Sequence, residues 1–399
     1  MAATAQPSKQ MIADAVGQLN AAIRDLLSQP DSGSGLAEKA QRRRIIAAAN
    51  DVLNVTETHE DMWIEKATKT AELSAAQLFH EWKVFDSIPL QGFTSYSDLA
   101  VATTTEESVL RKSTLCSESL AHRRDNPAHH AFNLVWYQGF VPLSRFPEYF
   151  SKYGRKEPQK VNHVPITFAA GKPDLGFFDF LATDPFRLQD FMQAMASISH
   201  SIPMSGIYDF SWLVDTARRT AASGRPILVD VGGGKGHSIK AIHEEYPQLP
   251  LGRFVLQDTP ETLEASKALK DPQLAQIRRV PINFHEEAPV QGEGAHTYWL
   301  RWVMHDYGDE ACKNILRLVS SAMADDSRVL IHDHILDSPP SVLNAMTDYM
   351  VLAVGGKERN SQQWHDLVES VGLRINRIER PRPPYQDYSC CVIECVKDA

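Results

Sequence analysis

The 399-residue chain predicts an α/β fold: a doubly wound, mostly parallel sheet in the C-terminal part, with a helical region before it. Three observations predict it. From about residue 222 onward, short β-branched runs alternate with amphipathic helical patterns. The first run, "LVDV", passes directly into "GGGKG" and then into a helical pattern. Before residue 222 the apolar residues recur mostly at helical spacing.

Each element follows from its own pattern. Ile12, Val16, Leu19, Ile23 and Leu26-Leu27 are spaced for an amphipathic helix, which needs a partner surface in its own domain or in a second copy of the chain. "SQPDSGSG" at 28–35 reads as a loop between two helices. "SYSDLAVATTTEESVLRKSTL" reads as helix, turn, helix, with Thr104-x-x-Glu107 as a capping box for the second. Residues 121–144, "AHRRDNPAHHAFNLVWYQGFVPLS", have no clean period. "FFDFLATDPFRLQDFMQAMASIS" at 177–199 reads as a helical stretch. Its Phe and Met suit core packing, or the wall of a pocket for a flat ligand in which Phe178 takes part. Strands are then predicted in "ILVDV", "GRFVLQD", "RRVPINF", "AHTYWLRWVM" and "SRVLIHDHIL", with helices between most of them. "LRINRIERP" and "SCCVIECV" follow each other without a helix, which predicts an antiparallel pair at one edge of the sheet. The domain boundary is expected near 222, giving a helical domain 1–221 and a ligand-binding domain 222–399.

Composition narrows the class. The hydrophobic fraction of 43% and charged fraction of 23% are ordinary for a globular protein. A net charge of −9 argues against a nucleic-acid surface or an anionic membrane patch. Arg42-Arg43-Arg44 is too short a basic run to change that, and the second helix of the helix-turn-helix pattern offers only Arg111 and Lys112. No segment reaches the roughly 18 apolar residues of a membrane span, and the N-terminus lacks a signal-peptide core. Cys116, Cys312, Cys390, Cys391 and Cys395 are odd in number and lack zinc-binding spacing, so no metal is expected and reduced thiols in the cytoplasm fit best.

The stretch "LVDVGGGKGHS" decides which ligand the glycine turn takes. A P-loop requires Lys followed by Ser or Thr, and here Lys235 is followed by Gly236. A dinucleotide fingerprint accepts Gly232 and Gly234 but meets His237 where the third small residue belongs. The remaining pattern is acidic-x-Gly-x-Gly-x-Gly, from Asp230 through Gly232, Gly234 and Gly236. Asp230 can face a cationic amino group. Asp258, at the end of "FVLQD", can grip ribose hydroxyls, its other reading being a helix cap. Together these elements favour S-adenosylmethionine as cofactor.

Four motifs, "LVDVGGGKGHS", "FVLQD", "YWLRWVMHDYGDEACKNIL" and "GGKER", make residues 162–395 resemble the O-methyltransferases of plant and fungal secondary metabolism, the caffeate and sterigmatocystin type. The resemblance implies a Rossmann-like catalytic domain and a helical, winged-helix-like dimerisation domain. Members usually show a legible winged helix where residues 113–144 lie, and this sequence does not. It further implies a small aromatic or polyketide-type acceptor, a homodimer, and no nucleic-acid or membrane partner.

Methyl transfer from a sulfonium needs a nucleophile rather than an acid, and imidazole has a suitable pKa to deprotonate a phenol. His305, at the end of the strand pattern "HTYWLRWVM", is the candidate base. The resemblance implies that Glu358 of "GGKER" and Asp333, which stands where the family has a glutamate, flank it. It also implies Asn283 and Phe284 at the adenine, Arg301 near the cofactor with Trp302 behind it, and Asp306 and Met350 at the acceptor. Asp306 can alternatively cap the next helix, and Met350 can belong to the core. The function expected is O-methylation of a phenolic or enolic hydroxyl. The alternatives are a cyclase or dehydratase on the same fold that uses the bound sulfonium only as a charge, and an inactive binding homologue.

Overall fold

The computed structural model describes residues 8–28, 36–112, 117–199, 206–290, 294–382 and 390–398. The chain divides into two compact units: residues 1–136 with 189–202, and residues 137–188 with 203–399. The expected boundary near 222 is therefore corrected. Tyr208, Phe210, Leu213 and Val214 share one buried cluster with the strand residues Leu228, Phe254 and Leu256, so the segment before 222 is a layer on the sheet.

The second unit holds eight strands: β1 Leu228–Val231, β2 Phe254–Asp258, β3 Arg278–Pro281, β4 Thr297–Arg301, β5 Arg328–Leu336, β6 Arg359–Asn360, β7 Leu373–Glu379 and β8 Cys390–Lys397. Their order is β3-β2-β1-β4-β5-β8-β7, with β6 pairing β5 off that path. All pairs from β3 to β5 are parallel, whereas β8 runs antiparallel to both β5 and β7. The last two strands thus pair as expected, but β8 is inserted and β7 forms the edge. Chain order reverses between β1 and β4, and in open α/β sheets the strand ends at this crevice hold ligands.

Alternation along β1 sends Val229 and Val231 into one core with Ile315, Leu316, Val319 and Trp364. Leu228 points into the opposite core with Ile239 and Ile242, and Asp230 shares that face. The helices His237–Glu245, Asp309–Ala322 and Ser361–Glu369 bury one apolar stripe each against the sheet.

Among its described residues the first unit is helical. Helix Lys9–Leu27 packs against Leu36–Thr56. Helix Tyr96–Thr103 joins Phe79, Val84, Phe85 and Leu110 through its buried Leu99. Its capping box uses Ser95 and Asp98, whereas Thr104 is its left-handed C-cap and Glu106 precedes the next helix, so the box expected at Thr104 is not formed. The described residues of 113–144 contain no strand, and hence no β-wing. They form short pieces: Ser117–His122, Pro127–Leu134, a π turn at Val135–Phe140, and Val141–Ser144. Pro127 and Pro142 start new helices, and the π turn slips the side-chain period by one residue, which is why no period is visible there.

The stretch 177–199 is two helices, Phe177–Ala182 and Pro185–Ser199. Pro185 cannot continue the first, and Asp184 Oδ1 accepts the Phe186 N–H at 3.0 Å to start the second. No helix among the described residues is long and apolar enough to cross a membrane. Cys312, Cys390, Cys391 and Cys395 are buried and form no disulfide with one another. Cys116 and the loop residues 29–35 lie outside the described residues.

Candidate active site

The glycine turn leaves β1 through Gly232, whose φ is +68°. A Cβ there would lie 2.9 Å from Val303 Cγ2 and 3.4 Å from Phe284 Cε1, so only glycine fits. At Gly234, with φ +59°, nothing lies within 4 Å of where a Cβ would stand, and the backbone faces open space. The turn is tied to β2: Gly232 N–H donates to the Gln257 carbonyl at 2.8 Å, and Gly234 N–H to Asp258 Oδ2 at 2.9 Å. Asp258 Oδ1 also accepts the Thr259 N–H at 2.8 Å. Thr259, not Asp258, caps the helix Pro260–Ala268.

Asp230 is fully buried, and neither of its carboxylate oxygens has a hydrogen-bond partner. Burial, reinforced by the charge of Asp258 and opposed by Arg301, pushes its pKa up to about 7. An orphaned buried carboxylate is costly and is explained by a cationic or donor ligand. Arg301, at the end of β4, likewise has two guanidinium nitrogens without partners, and it lies 3.8 Å over the Trp302 ring.

His305 sits on the single turn Met304–Asp306 that follows β4. Its Nδ1 is 3.0 Å from Glu358 Oε1 and 3.7 Å from Asp333 Oδ1, and its Nε2 is 3.7 Å from Asp306 Oδ1. Asp333 projects from β5 with no exposure and no hydrogen bond at either oxygen. Burial lowers the His305 pKa, but the negative charges of Asp333, Glu358 and Asp306 outweigh it and raise it to about 10. Burial raises Asp333 to about 7 and Asp306 to about 6, His305 opposing both. Glu358 moves the other way, because the attraction of His305 outweighs its burial.

The loop "GGKER" clamps this turn from behind. A Cβ at Gly356 would collide with the His305 carbonyl oxygen, which instead accepts the Lys357 N–H at 2.9 Å. Arg359, fully buried, donates to the Met304 carbonyl at 3.1 Å and the Tyr307 carbonyl at 3.0 Å. It also donates to Asp309 Oδ1 at 3.0 and 2.8 Å. Asp348 accepts the Glu358 N–H at 2.8 Å, which sets the direction of the Glu358 side chain.

The O-methyltransferase domain family matches residues 158–374, more than half of the chain. The methyltransferase cfoD of Aspergillus candidus is 30% identical over 393 residues, which cover 92% of this chain and 95% of that protein. The chain belongs to the S-adenosylmethionine-dependent O-methyltransferase family. Two solved structures share its fold at 22% identity. The crystal structure of OxaC has a TM-score of 0.81, covering 99% of this chain and all of that one, and OxaC is also solved in complex with SAH and oxaline. A structure titled "A Pericyclic Reaction enzyme" has a TM-score of 0.75, covering 97% of this chain and all of that one.

The residues of this O-methyltransferase fit its cofactor. The Asp230 carboxylate is buried with no hydrogen bond at either oxygen, a site suited to a cationic group, and the backbone at Gly234 faces open space. Phe284 is half-buried with its ring beside Gly232, whereas Asn283 is exposed and its Oδ1 accepts the His285 N–H at 3.2 Å. Asp306 does not cap the following helix, whose N-cap is Gly308. Met350 is half-buried on the helix Val342–Val354, and Phe178 is 43% exposed. Sequence reasoning missed Arg359, Lys357 and Asp348 as supports of the His305 turn. Arg359 and Lys357 lay in plain view inside "GGKER", but nothing local shows that an arginine there is buried against backbone carbonyls.

Proposed function

We propose that this O-methyltransferase methylates a phenolic or enolic hydroxyl of a small, flat metabolite, with His305 as general base. The observation that carries the reading is His305 Nδ1 held by Glu358 at 3.0 Å, on the turn after the strand that neighbours β1 and its glycine turn. Glu358 fixes the Nδ1–H tautomer, so Nε2 is the atom that takes the acceptor proton. Asp230 binds the amino group, Asp258 the ribose hydroxyls, and Asn283 and Phe284 the adenine. Arg301 balances the aspartates on either side, Asp230 and Asp333. Asp306, Met350 and Phe178 meet the acceptor. Bound there, S-adenosylmethionine supplies an electrophilic methyl group and a positive charge. A sulfonium charge beside His305 would lower its pKa from about 10 and favour the neutral imidazole that can act as a base.

The test is methyl transfer to a panel of phenols and enolic 1,3-dicarbonyls. His305→Ala should lose about 10²–10⁴-fold in kcat, with cofactor binding retained by calorimetry. An undiminished mutant removes His305 as the base.

A second reading is favoured by Asp333. Its shorter side chain stops 3.7 Å from His305, and His305 rests as an imidazolium, suited to donating a proton as well as accepting one. On this reading the bound sulfonium serves only as a fixed charge for a cyclisation or dehydration, and the fold shared with a pericyclic reaction enzyme is consistent with it. Product mass separates the two: a gain of one methylene means methylation, and a rearranged product with unchanged cofactor means the alternative. A chain that binds no S-adenosylmethionine is an inactive homologue.

The helical unit is proposed to pair with a second copy. Its apolar Met11, Leu27, Trp63 and Ile64 are 51–78% exposed. Light scattering should give twice the chain mass, and a monomeric mass overturns the pairing.

A further inference from the structure

The first unit carries a second group of titratable side chains that the methyl-transfer reading leaves unused. His80 lies on the helix His59–Glu81, and His122 ends the turn Ser117–His122. His129, His130 and Asn133 lie on Pro127–Leu134, and Asp190 on Pro185–Ser199. His80 and His129 are buried.

Donor and acceptor accounting gives this group one consistent arrangement. Asn133 Nδ2 is 2.7 Å from Asp190 Oδ2 and 3.1 Å from His129 Nε2. An amide nitrogen has two protons and accepts nothing, so it donates to both, and His129 Nε2 presents a lone pair. The proton of neutral His129 is then on Nδ1, which donates to His80 Nδ1 at 2.9 Å. His80 in turn carries its proton on Nε2 and donates to His122 Nδ1 at 3.2 Å. His130 Nδ1 meets the other carboxylate oxygen, Asp190 Oδ1, at 2.5 Å.

We propose that His129, His130 and Asp190 form a binding site for a divalent transition-metal ion of the zinc, cobalt or nickel class. A ring nitrogen of each histidine and a carboxylate oxygen of Asp190 lie within 4.8 Å of one another. Two imidazoles and a carboxylate are a donor set these ions favour over magnesium or calcium. The His129 lone pair faces the Asn133 amide and, through it, Asp190. His80 holds that ring in the required tautomer, as a hydrogen-bonded outer partner of a metal-bound histidine does. On loading, His130 moves its proton from Nδ1 to Nε2, and the contact with Asp190 opens to the ~3.3 Å that two ligands at ~2.1 Å from one ion require. Asn133 turns its amide so that Oδ1 faces the ion, with water completing the shell.

The experiment titrates the full chain, stripped with a chelator, with Co²⁺ alone. One equivalent per chain is expected, with visible d–d absorption, no cobalt–thiolate charge-transfer band, and displacement by Zn²⁺. Asp190→Asn and His130→Gln should each weaken binding at least tenfold, while His305→Ala leaves it unchanged. Since a cluster variant can misfold, X-ray absorption on the unaltered cobalt-loaded chain supplies a second readout, a nitrogen/oxygen shell with imidazole scattering. No binding, a sulfur shell, or full affinity in folded Asp190→Asn and His130→Gln overturns the proposal.

Discussion

Asp333 and Glu394 lie on the paired strands β5 and β8 of one sheet, and neither has any solvent exposure. Their surroundings are opposite. Glu394 accepts from the Tyr208 hydroxyl, from Asn376 Nδ2 at 2.5 Å, from Arg328 at 3.1 Å and from Arg377 at 3.0 Å. Those partners outweigh its burial and hold it below the usual carboxylate range. Asp333 has no hydrogen bond at either oxygen, and burial pushes it up to about 7. Asp230, on β1, repeats the Asp333 pattern. A buried carboxylate with its partners in place is part of the framework. One left without them, at the carboxyl ends of the strands, is held ready for a ligand or a proton.

That contrast can be broken at either end. The largest effect is expected at the satisfied charge. Glu394→Gln should cost about 2–4 kcal/mol of stability by denaturant titration, because Arg328 and Arg377 lose their buried partner. Glu394 has a folded pKa below its unfolded value near 4.5, so its contribution is present above that pH and lost as pH falls through the folded pKa. The parent should lose stability relative to the variant on acidification, while activity per folded molecule stays unchanged.

Asp230→Asn should act in the reverse sense. Its folded pKa of about 7 lies above the usual 3.8, so the carboxylate costs stability increasingly as pH rises between those values. The variant should be more stable than the ligand-free parent at pH 8, on the order of 1–3 kcal/mol, and bind S-adenosylmethionine at least tenfold more weakly by calorimetry. A variant that is both less stable and equally tight places Asp230 with Glu394.

The smallest change is expected at Asp333→Asn. Removing one of three carboxylates around His305 lowers the imidazolium pKa, so the ascending, acidic limb of the kcat profile, where the base loses its proton, should move down by about one pH unit. An unmoved limb means that Asp333 does not act through His305.

Much of the fold and part of the candidate site were legible because they rest on local chemistry. Strand runs alternate with helical stripes, and the glycine turn shows its own steric demand at Gly232, where a Cβ would strike Val303. The break at 184–185 is an Asp-Pro step, but the Phe- and Met-rich pattern on both sides of it reads as one helical stretch, so the break was missed. Residues 121–144 were illegible because a π turn and two proline starts destroy any single period.

The sequence by itself determined the strand order of chemistry along the chain: Asp230 before glycines, Asp258 at a strand end, His305 after another, Glu358 in a glycine loop. Tertiary structure alone decided which charges find partners. Arg359 reaches the turn carrying His305, and Tyr208 reaches Glu394, across separations of 52 and 186 residues respectively, measured between Arg359 and Tyr307 and between Tyr208 and Glu394. His130 meets Asp190 across 60 residues, a spacing no metal motif encodes. Whether a buried charge is satisfied depends on groups brought together from distant segments. Periodicity records which face a residue occupies, and it carries no information about what waits on the other side.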